Sequence, residues 1–213
     1  MLIRRLMLIY LFSFYSINLF PETSILDDFQ GFVQGNRTKY TTAGNPKAQG
    51  LEIQIEFPKS WVQKEGKRPH IVQNFSSSAK GGVAKVATLS INPIPSDLRF
   101  FTDEEIADVL FDTEFAKDVL PEGSQLLIAN PTKYDGEPGI FLYFITQTSR
   151  AGANLLGAVV SHRFIYQRNA VDFSITYSIL VTSNTKQLTQ QEVEAFLGLA
   201  IQMGNSIIIL NKY

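Results

Sequence analysis

Two histidines, His70 and His162, are the side chains of this chain best suited to proton transfer or imidazole ligation near neutral pH, and there is no cysteine to join them. Neither has a histidine or cysteine partner at metal-ligand spacing, so no metal site is expected. His162 alternates with Val160, Phe164 and Tyr166, the pattern of a strand residue half-buried for structural reasons. His70 follows Arg68-Pro69 at the entrance to a strand, where a cation and an imidazole could meet a ligand together; Arg68 and His70 are therefore the candidate binding residues. The carboxylates read differently. Asp103-Glu104-Glu105 sits where a helix cap is needed, and Asp27-Asp28 falls in what reads as a solvated arm, so neither group suits acid–base catalysis. Ser76-Ser77-Ser78 reads as a loop before the turn Gly81-Gly82. A nucleophile elbow, a phosphate loop and a calcium loop are all absent from the sequence, which predicts no catalytic residue, cofactor or metal and a non-enzymatic protein.

The chain begins Met1-Leu2-Ile3-Arg4-Arg5 and continues with a nearly unbroken apolar run from Leu6 to Phe20. That charge-then-apolar order is an export signal. The run is diluted by Tyr15, Ser16 and Asn18 and is shorter than the roughly 20 residues a membrane span needs, which favours cleavage over anchoring. Ser16-Ile17-Asn18 is the nearest approach to a small-x-small cleavage pattern; left uncut, residues 6–20 would anchor the chain in a membrane. A cysteine-linked lipid anchor is excluded. Loss of Arg4 and Arg5 would leave 17 of the 19 basic residues against 20 acidic ones, and the densest basic group, Lys64, Lys67 and Arg68, is interrupted by Glu65. Nucleic acid, which demands a clustered basic face, is not an expected partner. An exported chain without disulfides must rest on its core alone, which points to a bacterial envelope or secreted protein despite the glycosylation-type triplets at Asn36 and Asn74.

The elements that must position these residues follow from periodicity. Residues 21–50, punctuated by Gly31, Gly35, Gly44 and Gly50, read as an irregular arm, leaving 51–213 as the domain. Leu51 to Phe57 alternates strictly and is ended by Pro58; 71–75 and 83–91 are further strands. Thr102 with Glu105, and Thr189 with Glu192, are capping boxes opening two helices, the first expected to run toward Lys117 and stop at Pro121 and Gly123. Between the helices lie strands at about 124–132, 139–148, 155–167 and 170–181, joined by turns and hence an antiparallel meander. The last carries Val171, Phe173, Ile175, Tyr177, Ile179 and Val181 on its buried face and shows Asp172, Ser174, Thr176 and Ser178 to the other side, whereas Ile140 to Ile145 is apolar on both faces. The sum is an α+β fold with one antiparallel sheet of about six to seven strands flanked by helices.

An alternating strand running into Phe57-Pro58-Lys59-Ser60-Trp61, then two strands, a capped helix, a four-strand meander and a final amphipathic helix, resembles the PsbP-like α/β/α sandwich over residues 51–210. The stretch from Glu65 to Gln73 is similar to the segment that small exported bacterial proteins of this fold carry after the tryptophan. The resemblance implies an indole packed under the sheet edge and action by binding other proteins, as in photosystem II extrinsic subunits and a regulator of a nuclear-transport GTPase; it brings no catalytic residues. The export signal sets this chain apart from the photosynthetic branch. Two functions are therefore expected as alternatives: an exported, periplasmic or secreted, accessory protein whose partner is another protein, in envelope assembly or toxin immunity, or a small-ligand binder or hydrolase with a cleft near Arg68 and His70.

Overall fold

A computed structural model describes residues 23–78, 84–98, 102–112, 120–150, 153–183 and 188–213. The export signal at 1–20, the Gly81-Gly82 turn and the extension of the first capped helix toward Lys117 lie outside the described residues.

The described residues open with α1 (Ile25–Val33), capped by Ser24 through a reciprocal box with Asp27, and with β1 (Arg37–Thr41), so the segment expected to be an irregular arm is largely regular. Of the four glycines, Gly31 lies within α1, and only Gly35, Gly44 and Gly50 fall in the connections, where they adopt positive φ that would strain a side chain. A short 3-10 turn (Pro46–Ala48) leads to β2 (Ile53–Pro58). Then come β3 (Val62–Glu65), β4 (Ile71–Ser78) and β5 (Ala84–Pro93). Ser76 to Ser78 therefore belongs to a strand, not to a loop: the serines pair with Val86, Lys85 and Ala84 of β5. The helix α2 (Asp103–Phe111) starts at the Thr102–Glu105 box and has Asp112 as its C-cap. The meander follows as β6 (Gln125–Tyr134), β7 (Glu137–Arg150), β8 (Ala153–Arg168) and β9 (Val171–Ser183). The chain closes with α3 (Gln190–Asn205), capped by Thr189 and Glu192, and a two-residue strand β10 (Ile208–Ile209).

Seven strands form one antiparallel sheet in the order β3-β4-β5-β9-β8-β7-β6. The strand that alternates most cleanly, β2, is not among them. It pairs instead with β1 and β10 in a separate three-stranded sheet. Strict alternation marks a half-buried strand without saying which sheet holds it, so the seven strands number as expected but β3 takes the place of β2. The two halves of the main sheet, a β3-β4-β5 run and the β6-to-β9 meander, join where β5 pairs with β9.

One face of the main sheet carries the larger core. Phe75, Leu89, Val160, Phe164, Ile175, Tyr177 and Ile179 pack there against Ile53, Ile55 and Phe57 of β2 and Phe196, Leu199 and Met203 of α3. Trp61 is 4% exposed, as the Pro-x-x-Trp corner predicts. Gly198 lets α1 approach α3, since a Cβ there would meet the Phe29 ring at 2.9 Å. The opposite face holds a smaller cluster of Leu142, Phe144, Val159, Leu180 and Ile106, with α2 lying over β6 and β7. The result is an α+β sandwich in which β7 is apolar on both faces because both are covered.

Candidate functional site

The two histidines meet opposite fates. His162 is 2% exposed, inside the larger core, with Nδ1 2.9 Å from the Tyr134 hydroxyl and Nε2 2.9 Å from the Ala200 carbonyl. A carbonyl only accepts, so Nε2 carries the proton and Nδ1 accepts from Tyr134. Burial pushes the imidazole down to about 4, against a smaller upward pull from the Ala200 bond, so it is neutral at pH 7. Its ring lies on Gly204, where an added Cβ would collide with the ring atoms. Both nitrogens and one ring edge are thus committed to packing, as its alternating strand position suggests.

His70 is half-buried in the turn between β3 and β4, and Arg68, also half-buried, stands in the same turn. The backbone there is pinned at both ends: Ile71 N–H donates to the Arg68 carbonyl at 3.1 Å, and Ile91 N–H to the His70 carbonyl at 3.0 Å. Burial, and then the Arg68 charge, holds the His70 imidazole below its ordinary value. Nearby, Lys47 donates to the Gly66 carbonyl and pairs with Glu65 at 2.8 Å. The structure therefore places Arg68 and His70 in one turn, close enough for the Arg68 charge to act on the imidazole.

A second polar region is centred on the face opposite the larger core. One lateral row of side chains crosses that face strand by strand: Ala129 and Leu142 beneath α2, then Ser161, Ser178, Thr88 and Asn74. The Ser161 and Ser178 hydroxyls are 3.1 Å apart, and Thr88 Oγ1 donates to Asn74 Oδ1 at 2.9 Å. In the neighbouring row Arg163 Nε donates to Ser161 Oγ at 3.2 Å. Burial pushes its guanidinium down to about 10, leaving it cationic at pH 7. Asn74, Thr88, Thr176, Ser178 and Arg163 are all half-buried, which leaves part of each accessible. The alternation of Asp172 to Ser178 shows that β9 is polar here; that three other strands bring like residues into register beside it is invisible without pairing, and Arg163 has no spacing signal of its own.

Asp28 is not in a solvated arm. It is 3% exposed and accepts from Lys85 Nζ at 2.5 Å, Trp61 Nε1 at 2.9 Å, Ser60 Oγ at 2.9 Å and Thr23 Oγ1 at 2.8 Å. Four donors on one carboxylate make this a structural lock. Among the described residues no group of three histidine, cysteine or carboxylate side chains could hold a metal ion, and no helix is long and apolar enough to cross a membrane.

No protein-family model matches the chain, and no curated protein matches it. Among solved structures it is similar to LpqN, involved in cell envelope biogenesis of Mycobacterium tuberculosis, at 14% identity and a TM-score of 0.44 over 88% of this chain and 97% of LpqN. It is also similar to the Pseudomonas aeruginosa protein PA94, of unknown function, at 16% identity and a TM-score of 0.35 over 82% of this chain and 97% of PA94.

Proposed function

We propose that this is an exported, non-catalytic accessory protein of PsbP-like type that acts by binding another protein, and that it meets its partner through the polar half of the second sheet face. The observation that carries the reading is the division of that face: α2 covers the apolar half over β6 and β7, while Asn74, Thr88, Ser178 and Arg163 lie half-buried beyond it. A sheet face with its hydrogen-bonding groups pre-arranged on rigid strands loses little side-chain freedom on association. The commitment of His162 to the core supports a binding role over acid–base chemistry at that residue. In envelope assembly or in toxin immunity, the contribution would be the same: a fixed surface presented outside the cytoplasm.

A photo-crosslinking residue at Thr88, in the exported protein, should capture a discrete partner, whereas one at Ile201 on the exposed side of α3 should not. Equal capture from both positions, or none from Thr88, would defeat the proposal. The second reading, a small ligand held at Arg68 and His70, is supported by their place in one turn, close enough for the Arg68 charge to act on the imidazole. It requires Arg68→Gln to abolish binding of such a ligand while leaving crosslinking at Thr88 intact.

A further inference from the structure

Lys85 is fully buried on β5, and its ammonium is held by three oxygens. Asp28 Oδ2 lies at 2.5 Å, the Thr23 carbonyl at 2.6 Å and Thr23 Oγ1 at 3.1 Å, and the same hydroxyl of Thr23 donates to Asp28. Two of the three acceptors of a buried cation thus come from the residue that directly precedes the Ser24 cap of α1. We infer that proteolytic maturation of this chain stops upstream of Thr23, so that the mature protein begins no later than Glu22 with Thr23 still in amide linkage. The inference rests on the export reading and adds to it the position at which processing must end.

The reason is electrostatic. A chain beginning at Ser24 would take both Thr23 acceptors from a fully buried ammonium, and the new ammonium at the exposed Ser24 could offer no acceptor in return. That ammonium would also stand at the N-terminus of α1, where the helix dipole already disfavours positive charge. A start at Thr23 itself keeps the acceptors but sets the new charge next to them. A start at or before Glu22 moves it away along the chain.

The test is the intact mass of the folded, exported protein made from the full-length gene. A first residue between Leu19 and Glu22 supports the inference; a first residue at Thr23 or later overturns it while leaving export standing. An intact Met1 overturns the export reading itself, and the inference with it. As a second measurement, the mature chain cut to begin at Ser24 should unfold with an equilibrium constant at least about tenfold more favourable to the unfolded state than the chain beginning at Glu22, and N-terminal acetylation should recover part of the loss. Identical unfolding midpoints for the two starts would overturn the inference irrespective of where the cell cuts.

Discussion

Asp28 and Lys85 carry full charges into one end of the larger core, whereas Tyr134 and His162 carry none into the other, and both sets are almost completely removed from water. The charged centre is held by many partners drawn from separated parts of the chain: α1 supplies the Asp28 carboxylate, and Thr23 ahead of that helix, the β2–β3 corner and β5 all donate to it. The neutral centre needs only two hydrogen bonds, because burial keeps His162 unprotonated and keeps the Tyr134 hydroxyl from ionising. Burying an ion is costly unless each of its hydrogen-bonding positions is filled, whereas a neutral imidazole is satisfied by one acceptor and one donor. Charge therefore fastens the N-terminal helix to the sheet, and neutrality lets α3 lie directly on β8.

The sharpest way to break this contrast is to empty the charged centre from one side. Asp28→Ala leaves Lys85 buried without its counter-charge and strands the Trp61 N–H, and should destabilise by about 3–5 kcal/mol in urea unfolding. Removing both charges together, as Asp28→Leu with Lys85→Met, should recover most of that loss, because a well-packed apolar pair needs no solvation. Equal destabilisation by the single and double variants would mean that the shape of α1, not charge, governs the docking.

The neutral centre is broken by protons. With the His162 pKa near 4 in the folded state and an ordinary value of 6.5 unfolded, the unfolded chain binds the proton more readily between those limits. Stability is thus full above about pH 6.5, falls as pH drops toward 4, and loses on the order of 3 kcal/mol in total from this group. Urea midpoints measured across that window should slope for the wild type and flatten in His162→Gln; parallel slopes would show that other groups set the acid limit.

How much of these centres the sequence reveals depends on the range of the contact. The capping boxes at Thr102 and Thr189 are local, spanning three residues, and both form as read. The alternation of β9 is equally local, and its face is buried as expected from Phe173 to Val181, while Val171 at the strand end is exposed. Asp28, by contrast, reads as a solvated residue because its four donors lie up to 57 residues away, and nothing in the Leu-Asp-Asp-Phe stretch announces them. The exchange of β3 for β2 in the main sheet has the same origin, since strand partners are set by packing and not by the strand's own pattern.

Gly204 sharpens the comparison from the helix side. Its missing Cβ is what allows α3 to lie on the His162 ring, and the added methyl of Gly204→Ala would overlap Cε1 of that ring. Helix propensity favours alanine by about 1 kcal/mol, but overpacking in a tight core costs about 1–3 kcal/mol, so a net loss is expected. In Gly204→Ala combined with His162→Ala the clash disappears and the helix gain should show, making the pair less destabilised than His162→Ala alone. Additive effects would place the ring elsewhere.

The smallest effect expected is at His70, and it separates the two histidines most plainly. His70 stands half-exposed in the β3–β4 turn, its carbonyl accepts the Ile91 N–H through the backbone alone, and replacement by glutamine leaves that bond in place. His70→Gln should therefore shift stability by no more than about 0.5 kcal/mol, the usual range for a substitution away from the packed core. Its imidazole is also held below the ordinary value, chiefly by burial, so its pH effect has the same sign as that of His162: stability is retained above the unfolded pKa and is lost as pH falls. The double variant His70→Gln with His162→Gln should be nearly as flat in its pH dependence as His162→Gln alone, and its stability at pH 7 should equal the sum of the two single changes. A large loss from His70→Gln at pH 7 would show that the side chain, and not only the backbone, holds the turn, and would make the Arg68–His70 corner a third buried polar centre instead of an accessible one.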